Sequence, residues 1–515
     1  MIGFQLSIQA MQRPDAVALV YGARRLSYRD LHRRSCRLAN ALAADGVVAG
    51  DRVAVLLHNC TEFLEALFAS AMLGAVFVPV NFRLVAREIG QVLDACTPKF
   101  LLAGEGFAEL LQELRPRSSY PALARLIDDQ PPTSASVPDS AFERWVCAQP
   151  TTEPPSVVAP DAVQMLLHSS GTTGLPKGIV FTHHTTQASS MAKIIDFALT
   201  AQDVTVVFGP LFHAGPLMDL AMPLLLRGGR VVLGASRQFL PQQLLQTVAA
   251  QRGTVIPIYP TMLRRVLAQE PDPALDLSCI RLIITGGEAA PLPVIIGAHE
   301  RFPHAAFVIN YGSTESGPVT CFLAPEHSQR KMGSVGKESF GVQVRICDEH
   351  GRALGAGQPG ELEVRGPFVS PGYWNRPEET AAHSRDGWWR TGDLAWRDDE
   401  GFLWIAGRSK DMIKSGTENI YPIEVEQVIA GIDGVVEVGV IGVPDEEWGE
   451  SVLAFVVTAP NYRLDAASVI EHCRAHLASY KKPRHVRFVD SLPRGTTNKV
   501  AKNILRDMWK ASTTS

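Results

Sequence analysis

Residues 168–183 read HSSGTTGLPKGIVFTH, a polar run of glycines, hydroxyl side chains and one lysine. Apolar, strand-like residues lie on both sides of it, at 165–167 and 178–181, so the run is predicted to be a loop between two strands. Such a loop can direct backbone N–H groups, hydroxyls and an ammonium at a polyphosphate, because glycine permits close approach and consecutive amides form an anion-binding concavity.

A mobile Gly/Ser/Thr linker is the alternative that composition alone favours. Pro176 and Lys177 oppose it, because the proline stiffens the end of the loop and a cation follows at a defined place. The run also differs from the P-loop of other nucleotide enzymes, since Gly178 rather than Ser or Thr follows Lys177 and a strand rather than a helix comes next. We interpret it as a phosphate-binding loop of a different kind.

The whole run resembles the phosphate-binding signature of the adenylate-forming superfamily, which includes acyl-CoA synthetases, luciferases and the adenylation domains of peptide synthetases. The resemblance implies that this loop binds the phosphates of ATP. The implied residues are Ser169, Ser170, Gly171, Thr172, Thr173, Gly174 and Lys177.

Length and composition narrow the class of protein. A chain of 515 residues exceeds the size at which one hydrophobic core keeps growing, so at least two domains are expected. Its 46% hydrophobic and 20% charged residues are typical of a globular protein, and a net charge of −4 offers no basic surface for nucleic acid. Eight isolated cysteines without a CxxC pair favour reduced thiols in the cytoplasm over disulfides or a zinc site.

The sequence shows neither a targeting peptide nor a membrane span. The N-terminus lacks a charged start followed by an apolar core and a cleavage site. Residues 63–82 are the most apolar stretch, yet they contain Glu65, Gly74 and Pro79. We predict a buried helix that ends at Gly74, followed by a strand at 75–80.

The N-terminal part alternates strands and helices. Ser27 and Asp30 form a helix-capping pattern, and strand, helix, helix and strand follow at 52–57, 61–73, 85–95 and 99–103. This alternation predicts an α/β fold with a doubly wound parallel sheet. Between 115 and 160 prolines recur and the periodicity fades, which predicts a surface connection inside one large domain.

A first group of pocket residues follows the predicted strand 204–208. Ligands of α/β sheets bind beyond the carboxyl ends of strands, which makes His213 a candidate; taken alone, a structural histidine with satisfied hydrogen bonds is the alternative. The superfamily resemblance implies that His213 borders the carboxylate substrate. The acyl-pocket residues implied are Phe212, His213, Gly215, Met218 and Gly287.

Two further strands, at 282–284 and 306–309, end in TGGE and NYGSTE. In the second run Tyr311 can stack on a base, Thr314 can donate to a phosphate and Glu315 can ligate a hard cation, although each type taken alone is more often a turn or surface residue. The runs resemble the superfamily's adenine and magnesium motif. The resemblance assigns Mg²⁺ to Glu315, and the nucleotide residues implied are Gly287, Glu288, Asn310, Tyr311, Gly312 and Thr314.

The residues around 393–408 predict a β-hairpin from their own pattern, without any resemblance to a family. Strands are predicted at 394–397 and 402–405 around a turn at 398–401, and Asp393 and Arg408 lie almost symmetrically about that turn. An antiparallel hairpin therefore brings them side by side, either as a surface salt bridge or as a clamp for a nucleotide ribose. The superfamily places an Asp and an Arg on the ribose at the matching positions.

The last hundred residues resemble the superfamily's small domain. The resemblance puts a hinge at Lys410 and the CoA path at Lys414, Gly416 and Thr417, where Thr417 replaces a frequent glycine. Helices and strands from Pro422 onward predict an α+β domain.

Lys499 matches the lysine that reaches the active site of these enzymes. An ammonium there would stabilise charge as a carboxylate attacks a phosphate. Asn498 stands where a glycine is usual, and it tolerates a left-handed backbone. We predict Lys502 to be a surface lysine.

The combined prediction is an adenylate-forming enzyme, most like an acyl-CoA synthetase. Residues 1–409 form a large domain of doubly wound sheets with a small β-barrel-like subdomain, and residues 410–515 form a mobile α+β domain. The predicted reaction joins a fatty, aromatic or bulky alicyclic carboxylic acid to coenzyme A through an acyl-adenylate, with ATP and Mg²⁺. The catalytic residues implied are Lys499, Glu315, Thr314 and His213.

Two other functions stay open on the sequence. One is an adenylating ligase that loads a carrier-protein thiol, although the region around Phe212 and His213 shows no evident Asp for an amino-acid substrate. The other is a non-catalytic nucleotide or acyl sensor, which intact Glu315, Asp393 and Lys499 oppose. The superfamily also contains many homodimers, which leaves a dimer open here.

Overall fold

The structure, a computed structural model, describes residues 1–117, 119–134, 139–155, 157–170, 176–288, 290–416, 418–460, 462–495 and 499–513. For Ser169, Ser170 and Thr513 it describes the backbone alone. Of the predicted site residues, Gly171, Thr172, Thr173, Gly174 and Thr417 lie outside the described residues, as does Asn498.

The first sheet carries the predicted phosphate loop at one edge. Within the described chain its strands run in the order Leu123–Ile127, Phe100–Gly104, Arg52–Leu56, Val76–Pro79, Val163–Ser170 and Pro176–Thr182. All neighbours are parallel except the last pair, which is antiparallel with His168 opposite Gly178. The two predicted flanking strands are therefore confirmed, and both are longer than expected, since Ser169, Ser170 and Lys177 of the predicted loop belong to them. The rest of the predicted loop, residues 171–175, lies outside the described residues.

The second sheet is also mainly parallel, with antiparallel strands added at both edges. Its described strands run in the order Lys337–Glu338, Gly317–Leu323, Ala306–Ser313, Leu282–Gly286, Val255–Pro257, Val204–Val207, Arg230–Leu233, Val17–Tyr21 and Arg24–Ser27. Helices separate the two sheets, and the largest apolar core joins them. The predicted doubly wound α/β fold is confirmed.

Two smaller sheets complete the chain. The third sheet is antiparallel and contains Gln343–Cys347, Gly360–Arg365, Ser384–Arg385, Trp388–Arg397 and Leu403–Arg408. The fourth contains Ile413–Ser415, Glu418–Ile420, Val435–Asp445, Gly449–Thr458 and His485–Phe488. The fourth sheet has its own apolar clusters, so the C-terminal part has a separate α+β core.

The α-helices lie mainly between and outside the sheets. Their bounds are Ile2–Gln12, Tyr28–Ala44, Thr61–Leu73, Ala86–Cys96, Ala108–Leu114, Ala141–Cys147, His183–Asp196, Met222–Arg227, Pro241–Gln251, Pro260–Leu267, Leu292–Arg301, Pro377–Ala382, Pro422–Ala430, Ala466–His476 and Lys502–Thr513. Short 3₁₀ turns span Glu105–Phe107, Pro325–His327, Ser409–Asp411 and Ser479–Lys481, and a π-helix spans Gly215–Ala221.

Local signals set several helix ends. Ser27 and Asp30 form the predicted capping box before Tyr28–Ala44. The helix Thr61–Leu73 is buried along its whole length and ends at Gly74 with φ 75°, a left-handed conformation that glycine adopts without steric cost. Among the described residues, no helix has the length and apolar character needed to cross a bilayer.

Residues 115–160 differ from the prediction. Instead of a surface connection without secondary structure, the segment contributes the edge strand Leu123–Ile127 and the helix Ala141–Cys147. Trp145 stacks on Phe100 with ring centroids 5.6 Å apart, and Glu143 pairs with buried Arg34. Contacts with distant residues therefore order a stretch whose own periodicity is weak.

The strand predicted at 306–309 is also longer than expected. It continues to Ser313, because Asn310 pairs with Phe322 and Tyr311 with Cys321 of the antiparallel neighbour Gly317–Leu323. Tyr311 is thus held in a sheet, whereas Thr314 and Glu315 lie in the turn that follows it.

Candidate active site

A cavity of about 400 Å³ lies where the C-terminal part meets the second and third sheets. Its walls include Thr261 and Ile405 from the N-terminal part and Glu426 and Val438 from the C-terminal part. The predicted nucleotide and catalytic residues that line it are Gly287, Glu288, Asn310, Tyr311, Gly312, Asp393, Arg408 and Lys499. The tertiary structure thus gathers residues from four separate sequence runs.

The hairpin pair stands as predicted. Trp388–Arg397 and Leu403–Arg408 are antiparallel, with Asp393 opposite Arg408. Arg408 Nε donates to Asp393 Oδ1 at 2.7 Å, and the Tyr311 hydroxyl donates to Asp393 Oδ2 at 2.6 Å. Asp393 is buried whereas about half of the Arg408 side chain is exposed, so the carboxylate is fixed and the guanidinium faces the cavity.

Lys499 lies in the same cavity. Much of its surface is exposed to solvent, but surrounding protein atoms desolvate its ammonium and so lower its pKa. The Arg408 cation lowers this pKa further, and the carboxylates of Asp393, Glu288 and Glu315 oppose the shift. The ammonium is therefore within electrostatic range of the Asp393–Arg408 pair and of Glu315.

Glu315 is held by a tyrosine that the sequence did not point to. The Tyr373 hydroxyl donates to Glu315 Oε1 at 3.2 Å, and the backbone N–H of Ser370 donates to the Glu315 carbonyl at 2.9 Å. Within the described chain no lysine or arginine forms an ion pair with Glu315. Its carboxylate is thus oriented but keeps oxygens free for a cation.

Lys177 is nearly buried and is not free. It forms an ion pair with Glu379, and its Nζ lies 5.1 Å from the centre of the Tyr373 ring. Arg376 also contacts Glu379, at 2.5 Å. The hydrogen bond from Lys177 lowers the pKa of Glu379, so this carboxylate is anionic beside the phosphate loop.

His213 is a neutral histidine that does not itself line this cavity. Burial lowers its pKa to about 3, and the charges of Arg83 and Lys499 add to the shift. The ring of Phe212 packs against it with centroids 4.2 Å apart, and Phe82 packs edge-on against Phe212. Gly215 and Gly287 both lie against Tyr259, whereas Met218 is fully buried in the core beneath them.

The predicted hinge residue and the described residues of the predicted CoA path do not line the cavity. Lys410 lies in the turn Ser409–Asp411, and neither Lys414 nor Gly416 lines the cavity described above. Gly416 has φ 63° and donates its N–H to the Trp448 carbonyl at 2.7 Å. The C-terminal part thus presents Lys499, and neither Lys414 nor Gly416, to this cavity.

The prediction for Lys502 was wrong. Its ammonium forms an ion pair with Glu426 at 2.7 Å, with both side chains about one-fifth exposed, and both residues line the cavity. Lys502 is the first residue of the helix Lys502–Thr513.

Sequence reasoning also missed Tyr373, Glu379, Asp219 and Tyr259. Each contacts a site residue far away along the chain, as Tyr373 does with Glu315 across 58 positions. No local pattern marks such pairs. Of the four, only Asp219 could have been noticed in the sequence, because it lies inside the apolar run 215–226. A buried acid in such a run normally has a hydrogen-bond or charge partner.

Comparison with known proteins assigns the family. The model of the AMP-binding enzymes matches residues 6–374, and the model of the AMP-binding enzyme C-terminal domain matches residues 424–499. A feruloyl-CoA synthase from Amycolatopsis sp. is 38% identical over 97% of both chains. An indoleacetate–CoA ligase from Aromatoleum aromaticum is 36% identical over 96% of this chain and 95% of that protein.

A solved structure agrees with these relatives. The crystal structure of an anthranilate CoA ligase in complex with anthranoyl-AMP has a TM-score of 0.91 at 27% identity, covering 100% of this chain and 98% of the other. The chain belongs to the AMP-binding enzymes and is an AMP-forming acyl-CoA synthetase, which uses ATP, Mg²⁺ and coenzyme A to convert a carboxylic acid to its thioester through an acyl-adenylate.

Proposed function

We propose that this enzyme activates a hydrophobic, preferentially aromatic, carboxylic acid and that the structure corresponds to its adenylate-forming state. The observation that supports the state is the position of Lys499 in one cavity with Asp393 and Arg408. The apolar surroundings of Phe212 and Phe82 support the hydrophobic acid. The aromatic acids named for the feruloyl-CoA synthase and the two other similar ligases support the aromatic preference.

The nucleotide is bound by groups on fixed elements. Asp393 accepts hydrogen bonds from the ribose hydroxyls with Arg408 beside it, and Tyr311 stacks on adenine while its hydroxyl holds Asp393. Gly287, Glu288, Asn310 and Gly312 form the remaining wall. Lys177 and the loop 169–174 bind the phosphates that leave as pyrophosphate.

Glu315 fits a magnesium site by its chemistry. Its carboxylate accepts a hydrogen bond from the Tyr373 hydroxyl and keeps oxygen atoms available as metal ligands. Carboxylate oxygens are ligands that Mg²⁺ prefers. Among the described residues no cluster of three or more His, Cys, Asp or Glu side chains could hold a metal alone. The ion would therefore share its ligands between Glu315 and phosphate oxygens, and when bound it would neutralise phosphate charge.

The chain's own residues then lower the adenylation barrier. The acid's carboxylate must approach an anionic α-phosphate, and the desolvated ammonium of Lys499 stabilises the charge that develops there. Thr314 donates to a phosphate oxygen. Neutral His213 borders the acid without adding a second cation, because its pKa lies near 3.

The second half-reaction uses a different face of the C-terminal domain. We place the boundary of the two domains at 409/410 and the hinge at Lys410. Rotation there withdraws Lys499 and brings Lys414, Gly416 and Thr417 to the adenylate, where the CoA thiol attacks. The free thiols of the eight cysteines support a reducing, cytoplasmic location.

The half-reactions test these roles separately. Lys499→Ala should abolish acid-dependent pyrophosphate release and spare thioester formation from supplied acyl-adenylate. Lys502→Ala removes a neighbouring lysine that is paired with Glu426, and it should retain adenylation. Equal loss of both half-reactions in Lys499→Ala would contradict the assignment.

The acceptor and the acid need their own assay. Coenzyme A and a phosphopantetheinylated carrier protein should be supplied side by side with a panel of aromatic, fatty and alicyclic acids. We expect aromatic acyl-CoA to form fastest. Transfer to the carrier protein in preference to coenzyme A would overturn the choice of acceptor.

A further inference from the structure

A polar cluster lies beside the expected acyl pocket, in the π-helix Gly215–Ala221. Gly215 and Asp219 are about one turn of this wide helix apart and so lie on nearly the same side. Tyr259 packs against that side, because a Cβ added to Gly215 would lie 2.6 Å from the Tyr259 hydroxyl oxygen. The Asp219 carboxylate also acts electrostatically on Tyr259.

Two polar atoms of this cluster have no hydrogen-bond partner within the described part of the chain. They are Asp219 Oδ1 and the Tyr259 hydroxyl, and both atoms are buried. Asp219 itself is 4% exposed, and its other oxygen accepts only a long contact from Asn310 Nδ2 at 3.4 Å. Buried polar groups are normally hydrogen-bonded, so unpartnered ones point to a missing ligand group or water.

The cluster adjoins the nucleotide cavity through two residues. Asn310 lines that cavity together with Gly287, and a Cβ added to Gly287 would lie 3.8 Å from the Tyr259 ring. The Asn310 amide also crosses Gly286 so closely that a Cβ there would overlap its Oδ1. A glycine at 286 therefore allows the amide to reach Asp219 from the cavity wall.

A buried lysine already offsets part of the charge of Asp219. Fully buried Lys193 donates to Ser189 Oγ at 2.9 Å and lies over the Phe368 ring. Burial raises the pKa of Asp219 to about 7 and lowers that of Lys193 to about 8, and each charge opposes the other's shift. The second acid near Lys193 is Asp196. Its carboxylate accepts hydrogen bonds from the Ser339 hydroxyl and the backbone N–H of Phe340.

A ligand ammonium would bring a second cation close to buried Lys193 and would lose its own hydration, which is costly in a buried site. The group that fits is therefore an uncharged donor. We propose that Asp219 and Tyr259 form a polar subsite of the acyl pocket, which accepts a hydrogen bond from a hydroxyl or N–H group on the acyl moiety, away from its carboxylate. This inference rests on the proposed function and narrows its substrate class to hydrophobic acids that carry one neutral donor.

Matched acids test the subsite in the wild-type enzyme. The probes are 3-phenylpropanoate and its ring-hydroxylated and ring-methylated isomers, with an aminomethyl derivative as the cationic case. We expect kcat/KM in pyrophosphate release to be at least about 10-fold higher for one hydroxyl isomer than for the methyl isomer of the same position. The cationic acid should react more slowly than that hydroxyl isomer.

Variants then separate recognition from stability. Tyr259→Phe and the charge-balanced double variant Asp219→Leu/Lys193→Met should each reduce the hydroxyl-to-methyl ratio by at least about 5-fold, while kcat/KM for 3-phenylpropanoate stays within about 2-fold. Tyr21→Phe is the matched control, since this buried tyrosine donates to the Asp129 carbonyl far from the pocket. It should leave the ratio unchanged.

Two results overturn the proposal. One is a wild-type ratio near one at every ring position with all acids reacting, and the other is a Tyr259→Phe variant that slows every acid equally. Absence of pyrophosphate release with any carboxylic acid would instead contradict the proposed function itself.

Discussion

Lys177, the lysine of the phosphate loop, is ion-paired with Glu379 on the short helix Pro377–Ala382. The Glu379 carboxylate therefore binds the ammonium group that the proposed mechanism assigns to the phosphates of ATP. Tyr373 lies under the same ammonium and also holds Glu315. One tyrosine thus connects the proposed phosphate cation with the proposed magnesium ligand.

This ion pair predicts a competition between Glu379 and ATP. Glu379→Gln removes the anion and should lower KM for ATP by about 2- to 5-fold, which corresponds to about 1 kcal/mol or less for a partly exposed ion pair. Lys177→Ala should raise KM instead. Steady-state kinetics at low and high salt measure both effects. Glu378→Gln, on the same helix, is the control and should change little.

The proposed binding of the ribose by Asp393 and Arg408 predicts that a change at Asp393 weakens recognition of the sugar. Asp393→Asn should raise KM for ATP by at least about 10-fold, because hydrogen bonds to a charged group contribute about 1.5–3 kcal/mol. Discrimination against 2′-deoxy-ATP should also fall. Asp399→Asn is the control, since Asp399 is an exposed carboxylate at the turn of the same hairpin. Undiminished discrimination in Asp393→Asn would remove the residue from the ribose site.

The lowered pKa of Lys499 predicts an alkaline limit for adenylation. The ammonium is charged below its pKa and neutral above it, so the rate should be constant at lower pH and fall as pH rises through this lowered value. Thioester formation from supplied adenylate should lack this limit. Lys499→Arg should move it to higher pH because a guanidinium stays protonated. An unchanged limit in that variant would assign it to another group.

A contact between the two proposed domains predicts a bias toward the adenylating state. Glu437 of the C-terminal part accepts from Arg264 at 3.1 Å and from Arg494 at 2.5 Å. Arg264→Gln should slow adenylation by about 2- to 5-fold, the effect of a partly exposed pair, and leave thioester formation unchanged or faster. Arg265→Gln, whose guanidinium binds the Phe239 carbonyl, should affect neither half-reaction in rapid-quench measurements.

A buried charge cluster predicts a large effect on stability alone. Arg34 contacts Glu65 at 2.8 Å and Glu143 at 2.7 Å, and all three side chains are at most 10% exposed. Arg34→Met leaves two buried carboxylates without a cation and should cost about 3–5 kcal/mol in unfolding free energy. Thermal denaturation followed by circular dichroism measures it. Arg29→Met breaks an exposed pair with Asp15 and should have little effect.

Much of the fold follows from local patterns. The alternation of strands and helices, the cap at Ser27 and the break at Gly74 depend on neighbouring residues, and the structure confirms them. Residues 115–160 differ because stacking and ion pairing with distant residues order them. Because the local periodicity of this segment is weak, the sequence did not predict its strand and its helix.

The sequence by itself determined the two strands on either side of residues 171–175 and the pairing of Asp393 with Arg408. Both depend on short-range geometry, since Asp398 accepts from the N–H groups of Glu400 and Phe402 and so closes the hairpin turn. Only the tertiary structure placed Tyr373 and Glu379 beside Lys177. It alone also placed Asp219 near Tyr259. Those contacts join separate elements, and their positions depend on how sheets and helices pack and not on any local run of residues.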